Sequence, residues 1–127
     1  MMKVSLVSIP VPNPIEAHEI YTSRLGFVSK EFDPDADLAI VASPDDLHGT
    51  AILLEPCKGN FAGEYQKSAF EANLPIMVLA VPSVKDAKKR MALSGIRLRP
   101  ELDNPKWGLE NIFEDGCGNL LMLEELQ

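Results

Sequence analysis

An internal duplication limits the folds available to this chain more than any other feature of the sequence. The segment VPNPIEA at residues 11–17 aligns with VPSVKDA at residues 81–87, an offset of 70 residues, and Val, Pro and Ala match in both copies. Gly26 and Gly95, which suit the end of a helix, follow 15 and 14 residues after the aligned valines. A repeat of this kind indicates one supersecondary unit that is used twice.

The first copy has the pattern of a strand, a helix and three further strands. KVSLVSIPV, at residues 3–11, is an apolar, β-branched run of strand length. Asn13 is suited to cap a helix, Pro14 to its first position and Glu16 to the third position of a capping box. Three strand candidates follow, separated by Pro, Asp and Gly turns: FVSKEF, DLAIVA and GTAILLEP.

The second copy repeats the same order of elements. PIMVLAV, at residues 75–81, is a strand candidate, and Ser83 caps a helix that has Asp86 at its third position and Gly95 after its end. Three more strands are predicted after this helix: IRLRPEL, WGLENIFED and NLLMLEEL.

The predicted organisation is a single α+β domain over residues 1–127, built from two βαβββ modules. Module 1 covers about 1–57, and module 2 covers about 74–127. A linker and a short amphipathic helix occupy 58–73 between them.

Composition excludes several classes of partner. The net charge of −7 argues against nucleic acid, whose phosphates require a basic surface, and equally against an anionic membrane surface. The N-terminal residues lack a signal-peptide pattern, and no apolar run approaches the ~20 residues that span a bilayer. We therefore expect a cytoplasmic protein. Its two cysteines, Cys57 and Cys117, are expected to be reduced thiols, although a single disulfide would also be consistent with their number.

The duplicated unit ending in FEDGCGNLLMLEEL resembles the vicinal oxygen chelate superfamily, which includes glyoxalase I, bleomycin-resistance proteins, fosfomycin-resistance proteins and extradiol dioxygenases. ILLEP followed by YQKSAFEANLP is similar to a glyoxalase-like subgroup. The resemblance implies a curved mixed sheet around a cavity shared by the modules, and a homodimer. In metal-using members, the first and last strands of each module each carry one ligand, and the metal acts as a Lewis acid or activates dioxygen.

All four positions that correspond to these metal ligands are apolar. Leu, Ala and Ile have no donor atom, and a Met thioether suits only soft metals. The alignment places the four positions at Leu6, Ala51, Ile76 and Met122.

A different register on the closing strands does not restore a metal site. Shifting by two residues keeps the same face of the strand and brings in Glu55 or Glu124. However, no His, Gln or acid lies within two residues of Leu6 or Ile76. Two carboxylates alone make a poor site for nickel, zinc, iron or manganese, so we predict no metal and no other cofactor.

Five side chains remain as candidates for chemistry or ligand recognition. Glu55 and Glu124 are candidate bases or hydrogen-bond acceptors, and Arg97 and Arg99 are candidates to hold an anionic group. The alternative for these four is a salt-bridged or solvated sheet face. Trp107 either stacks on a planar ligand or packs against the protein.

Three functions are consistent with these residues. The first is a metal-free binding protein that holds a small, partly apolar molecule, either neutral or anionic, over Leu6, Ala51, Ile76 and Met122. The second is a metal-independent lyase or isomerase that acts on a carbonyl or phenolic compound through a glutamate and an arginine. The third is a metal-dependent lyase or dioxygenase whose metal ligands lie at positions other than those that the alignment indicates. The apolar ligand positions favour the first two.

Overall fold

The computed structural model describes residues 1–127, which divide into two units, Met1–Glu64 and Tyr65–Gln127. Each unit has its own mixed β-sheet and a helix packed on it, so the predicted α+β class is confirmed. None of the helices is both long enough and apolar enough to cross a membrane.

Unit 1 is the predicted βαβββ module. Its elements are β1 (Leu6–Val11), α1 (Pro14–Ser23), β2 (Val28–Asp33), β3 (Leu38–Ala42) and β4 (Ala51–Pro56). The strands lie in the order β1-β4-β3-β2, with β1 and β4 parallel and the other neighbours antiparallel. The parallel pair requires a crossover between β1 and β4, and α1 with the β2–β3 hairpin provides it.

The predicted start of α1 is confirmed. The Asn13 side chain accepts hydrogen bonds from the backbone N–H groups of Ile15 and Glu16, at 3.0 and 3.3 Å, and these donors have no partner within the helix itself. α1 packs on one face of the sheet, where alternate strand residues meet it. The fully buried residues of this core are Ile9, Val11, Ala17, Tyr21, Ala39, Val41 and Leu54.

Unit 2 has a three-stranded sheet. Its elements are α2 (Phe61–Glu71, which begins before the unit boundary), β5 (Val78–Val81), α3 (Val84–Leu93), β6 (Ile112–Glu114) and β7 (Leu120–Glu125). The strand order is β5-β7-β6, with β5 and β7 parallel and β6 antiparallel to β7. The Ser83 side chain caps α3 by accepting from the Asp86 backbone N–H at 3.1 Å, as predicted.

Of the three strands predicted after α3, the first two are largely wrong. IRLRPEL contributes only an isolated bridge between Leu98 and Phe113, and WGLENIFED contributes the strand Ile112–Glu114 and an isolated bridge from Leu109 to Asn104. Two 3-10 helices, Pro100–Leu102 and Pro105–Trp107, interrupt this region. The prolines explain the difference, because a proline has no backbone N–H to give to a sheet and its fixed φ suits the first position of a short helix.

A buried turn joins β6 to β7 and contacts α2. Asp115 is fully buried, and its carboxylate accepts hydrogen bonds from the Cys117 backbone N–H at 2.7 Å and from the Asn119 backbone and side-chain N–H groups at 3.1 and 2.8 Å. Gln66 of α2 donates from Nε2 to the Cys117 carbonyl and to Asn119 Oδ1. The DGCGN segment is therefore a hydrogen-bonded turn whose polar groups stabilise the fold.

Candidate functional site

The face of the unit 1 sheet opposite α1 carries two of the predicted site positions; we call it face 1. Leu6 on β1 lies beside Ala51 on the parallel strand β4. Two residues further along, Ser8 lies beside Leu53, which also neighbours Ile40 on β3. Since side chains alternate between the two faces of a strand, these residues point away from α1, whereas the intervening residues, such as Ile9 and Ile52, face the helix.

A shallow groove of about 340 Å³ lies on face 1. It has an apolar floor of Leu6, Ile40 and Ala51 and a polar rim that includes Lys30 and Glu31. Lys30 lies at a β-bulge in β2, where the pairing with β3 shifts register between Ser29 and Glu31. Bulges of this kind re-aim a side chain, and here the bulge is at the edge of the groove.

The corresponding face of unit 2 is the side of its sheet opposite α3; we call it face 2. Glu125 Oε1 accepts a hydrogen bond from the Val84 backbone N–H at the start of α3, so the odd-numbered residues of β7 face the helix. The even-numbered residues therefore lie on face 2. Among them, Met122 is half-buried between Val78 and Ile112.

Strand pairing revises one equivalence that the sequence alignment assumed. Val78 aligns with Ser8 at the offset of 70 residues, and their neighbours on the closing strands are Met122 and Leu53. The counterpart of Met122 is thus Leu53, not Ala51. Ile76, whose backbone N–H donates to the Leu120 carbonyl, makes Leu120 the counterpart of Ala51. In either register the candidate ligand positions are apolar: Leu6, Ile76, Ala51, Leu53, Leu120 and Met122.

These faces do not fit the divalent metal that the fold family implies. The aligned positions offer aliphatic carbons and one thioether where such an ion needs oxygen, nitrogen or thiolate donors. No three His, Cys, Asp or Glu side chains lie close enough together to hold an ion. His18 stacks on Phe32 with ring centroids 4.2 Å apart, and its Nε2 lies 2.8 Å from Ser29 Oγ, so it belongs to the side of the sheet that packs on α1.

Two arginines and two glutamates form a cluster on face 2; we call Arg97, Arg99, Glu101 and Glu114 the arginine–glutamate cluster. Arg99 Nη1 donates to Glu114 Oε2 at 2.8 Å and Arg99 Nε to Glu101 Oε2 at 3.1 Å. Arg97 Nε lies 3.6 Å from Glu114 Oε2. The hydrogen bond to Glu101, followed by the one to Glu114, raises the pKa of Arg99, so its guanidinium stays charged.

Backbone pairing explains why the arginines share this face. The Arg99 N–H donates to the Ile112 carbonyl and the Glu114 N–H donates to the Arg97 carbonyl, on either side of the bridge between Leu98 and Phe113. Phe113 is buried and pairs with Leu121, on the α3 side of the sheet. Arg97 and Arg99, which flank Leu98, therefore lie on face 2 together with Glu114.

The structure brings only some of the predicted side chains together. Glu55 is half-buried on face 1, Glu124 is exposed on β7, and Trp107 is 73% exposed in the second 3-10 helix of unit 2. Glu124 is remote from the arginine–glutamate cluster, because it lies four residues, roughly 13 Å, along β7 from Leu120, which pairs with Glu114. The acids that contact the arginines are thus Glu101 and Glu114, neither of which was among the candidate site residues.

The two cysteines are buried, and they do not form a disulfide with each other. Burial raises the pKa of Cys57, so the reactive thiolate is scarce at neutral pH. Cys117 is 8% exposed, and its backbone N–H is bound by Asp115.

Comparison with known proteins gives relatives of the whole chain. The uncharacterized protein YurT of Bacillus subtilis (strain 168) is 35% identical over 124 residues, which cover 96% of this chain and 98% of YurT. TnmS3, an antibiotic binding protein from Streptomyces sp. CB03234, has a similar crystal structure, with a TM-score of 0.71, 22% identity, and coverage of 100% of this chain and 98% of TnmS3.

A second solved structure has the same fold. It is a member of the glyoxalase/bleomycin resistance protein/dioxygenase superfamily from Sphaerobacter thermophilus DSM 20745, with a TM-score of 0.69, 21% identity, and coverage of 99% of this chain and 98% of that protein. No model of a known protein family matches the chain. The two structures confirm the fold that the sequence motifs predicted.

Proposed function

We propose that this chain binds a small, partly apolar molecule without a metal ion. The chain belongs to the protein family that includes Bacillus subtilis YurT, and it has the fold of the glyoxalase/bleomycin resistance protein/dioxygenase superfamily. One observation carries the proposal. The positions that the family resemblance implies for metal ligands, with Leu53 in place of Ala51 after strand pairing, are Leu6, Leu53, Ile76 and Met122, and their side chains are aliphatic or a thioether.

The groove on face 1 has suitable chemistry for such a ligand. An apolar ring placed over Leu6, Ile40 and Ala51 gains about 25 cal/mol for each Å² of apolar surface removed from water. Lys30 and Glu31 at the rim provide one positive and one negative group that can orient a polar substituent. Binding sites for small molecules commonly combine an apolar floor with a few polar groups of this kind.

The likeness to TnmS3 supports binding rather than catalysis. That protein is named as an antibiotic binding protein, and it shares the fold with this chain over nearly all of both sequences. At 22% identity the likeness is one of fold, so the identity of the ligand has to come from experiment.

A ligand screen tests the proposal. We expect some planar antibiotics, phenolic compounds or carbonyl compounds to raise the melting temperature of the protein by the same amount with and without EDTA. Each compound should be recovered chemically unchanged after incubation. Conversion of a compound, abolished by Glu55→Gln or Glu124→Gln, would instead establish the metal-independent enzyme.

The substitution Leu6→Lys tests whether the groove on face 1 is the binding site. Leu6 is 46% exposed, so lysine fits sterically, but its ammonium group makes the apolar floor polar; we expect ligand affinity to fall about tenfold or more. Leu47→Lys is the matched control, because Leu47 is 51% exposed and lies outside the groove. Isothermal titration with a hit from the screen gives both affinities. Equal affinities of the two variants would place the ligand outside the groove on face 1.

The homodimer and the cytoplasmic location stay predictions.

A further inference from the structure

Face 2 presents one arginine that is far more accessible than its neighbour. The Arg97 side chain is 69% exposed, compared with 16% for Arg99. Arg97 makes one ion pair, with its Nε 3.6 Å from Glu114 Oε2, which is longer than a charge-assisted hydrogen bond. Most of the hydrogen-bonding capacity of the Arg97 guanidinium is therefore directed toward solvent.

Arg99 has a different environment. Its guanidinium donates to Glu114 and to Glu101, at 2.8 and 3.1 Å, and the Glu114 side chain is 22% exposed. With two carboxylates around one guanidinium, Arg99 is held in place and its charge is compensated. Arg99 therefore positions Glu114, whose carboxylate lies 3.6 Å from the Nε of Arg97 and partly compensates its charge.

We propose that Arg97 binds the carboxylate of an organic acid whose apolar body lies on Met122 of face 2. A guanidinium can donate two parallel hydrogen bonds to a carboxylate, which gives geometric selectivity as well as affinity. The half-buried Met122 and the buried Ile112 are adjacent across β7 and β6. This inference rests on the proposed binding function and specifies the class of ligand.

The duplication places a basic residue on this face in both units, and in unit 2 that residue is Arg99, two residues from Arg97. Lys30 follows the helix-ending Gly26 by four residues, and Arg99 follows Gly95 by four residues. In unit 1, Lys30 lines the groove next to Ile40, and in unit 2 the Arg99 N–H bonds the carbonyl of Ile112, the counterpart of Ile40. Both units thus place a basic residue beside an isoleucine on the face opposite the helix.

Titration with benzoate and with benzamide tests the inference, because the two probes share a ring and differ in charge. In 15N-labelled full-length protein, we expect benzoate to shift the backbone resonances of Ile112 and Met122 and to bind more tightly than benzamide. Arg97→Ala should weaken benzoate binding about three- to tenfold and leave benzamide binding unchanged. Arg97→Lys should retain part of the benzoate affinity, since it keeps the charge but loses the planar fork.

Two further variants separate a local role of Arg97 from a change in net charge. Arg90→Ala removes the same charge from an exposed site on α3, on the other side of the sheet, and should leave benzoate affinity within twofold of wild type. Glu114→Gln removes the carboxylate that competes with benzoate for Arg97, so benzoate should bind more tightly. Circular dichroism of each variant checks that the fold is kept.

Three results would overturn the inference. They are equal losses of benzoate affinity in Arg97→Ala and Arg90→Ala, weaker benzoate binding in Glu114→Gln, and the absence of saturable benzoate shifts on face 2. None of these results would refute the proposed function, which stands or falls on the ligand screen and the Leu6→Lys variant. Conversely, suppose that no compound in the ligand screen stabilises the protein but benzoate binds in a way that depends on Arg97. The anion site at Arg97 would then be supported, and the proposed binding role of the groove on face 1 would be refuted.

Discussion

Replacing Asp115 with alanine is expected to lower the free energy of unfolding by about 3 to 5 kcal/mol. The carboxylate is fully buried and accepts hydrogen bonds from three N–H groups, two of them on Asn119 and one on Cys117. Alanine would leave these donors without their acceptor, and each unsatisfied buried donor costs about 1 to 3 kcal/mol. The substitution should also loosen the contact with Gln66, because Gln66 bonds the same turn.

Urea denaturation followed by circular dichroism at pH 7 measures this loss. Asp103→Ala is the matched control: it deletes the same carboxylate at an exposed position after a 3-10 helix, and it should change the unfolding free energy by less than about 0.5 kcal/mol. A loss below about 1 kcal/mol in Asp115→Ala would mean that water replaces the carboxylate, and that the turn does not depend on it.

Replacing Tyr21 with alanine is expected to destabilise the protein by about 3 to 5 kcal/mol. Tyr21 is the largest fully buried side chain, and its ring centroid lies 5.9 Å from that of Phe27. Its loss removes the aromatic contact and opens a cavity between α1 and the sheet of unit 1. The unfolding midpoint in urea should fall accordingly.

The second tyrosine of the chain provides the control for this variant. Tyr65 on α2 is 54% exposed, so Tyr65→Ala removes the same atoms from a site that is already hydrated, and we expect a change below about 1 kcal/mol. Similar losses in the two variants would show that the side chain of Tyr21 is not a central part of the core. If both variants have the circular dichroism spectrum of the wild-type protein before urea is added, their native secondary structure is retained.

The local start signals of the helices were readable from the sequence because they depend on few neighbouring residues. Asn13 and Ser83 cap α1 and α3 as predicted, since a side chain that reaches a backbone N–H two or three residues ahead needs no tertiary contact. The duplication extended this information to the whole chain. Two copies of one unit predicted two βα units with the same order of elements.

The strands after α3 were less readable because two local preferences compete there. The alternation of IRLRPEL and the apolar residues of WGLENIFED favour strands, but Pro100 and Pro105 remove backbone donors and begin 3-10 helices instead. As a result, strand pairing in this region is limited to the three residues of β6 and to two isolated bridges, Leu98 with Phe113 and Asn104 with Leu109.

The arginine–glutamate cluster depends on register, which alternation alone does not specify. Arg97 and Arg99 were recognised as candidates, but Glu114 faces them only because Leu98 pairs with Phe113. A different pairing would have brought another residue to that position. The same limit applied to the closing strands, where Leu53, not Ala51, proved to be the counterpart of Met122.

The metal content of the purified protein tests the central claim most directly. Protein prepared without chelator, incubated with nickel, zinc, iron(II) and manganese in turn and then desalted, should retain less than about 0.1 metal ion per chain by mass spectrometry of the elements, because Leu6, Leu53, Ile76 and Met122 provide no oxygen, nitrogen or thiolate donors. Retention of about one ion per chain, lost in Glu55→Gln or Glu124→Gln, would contradict the account and establish a metal site.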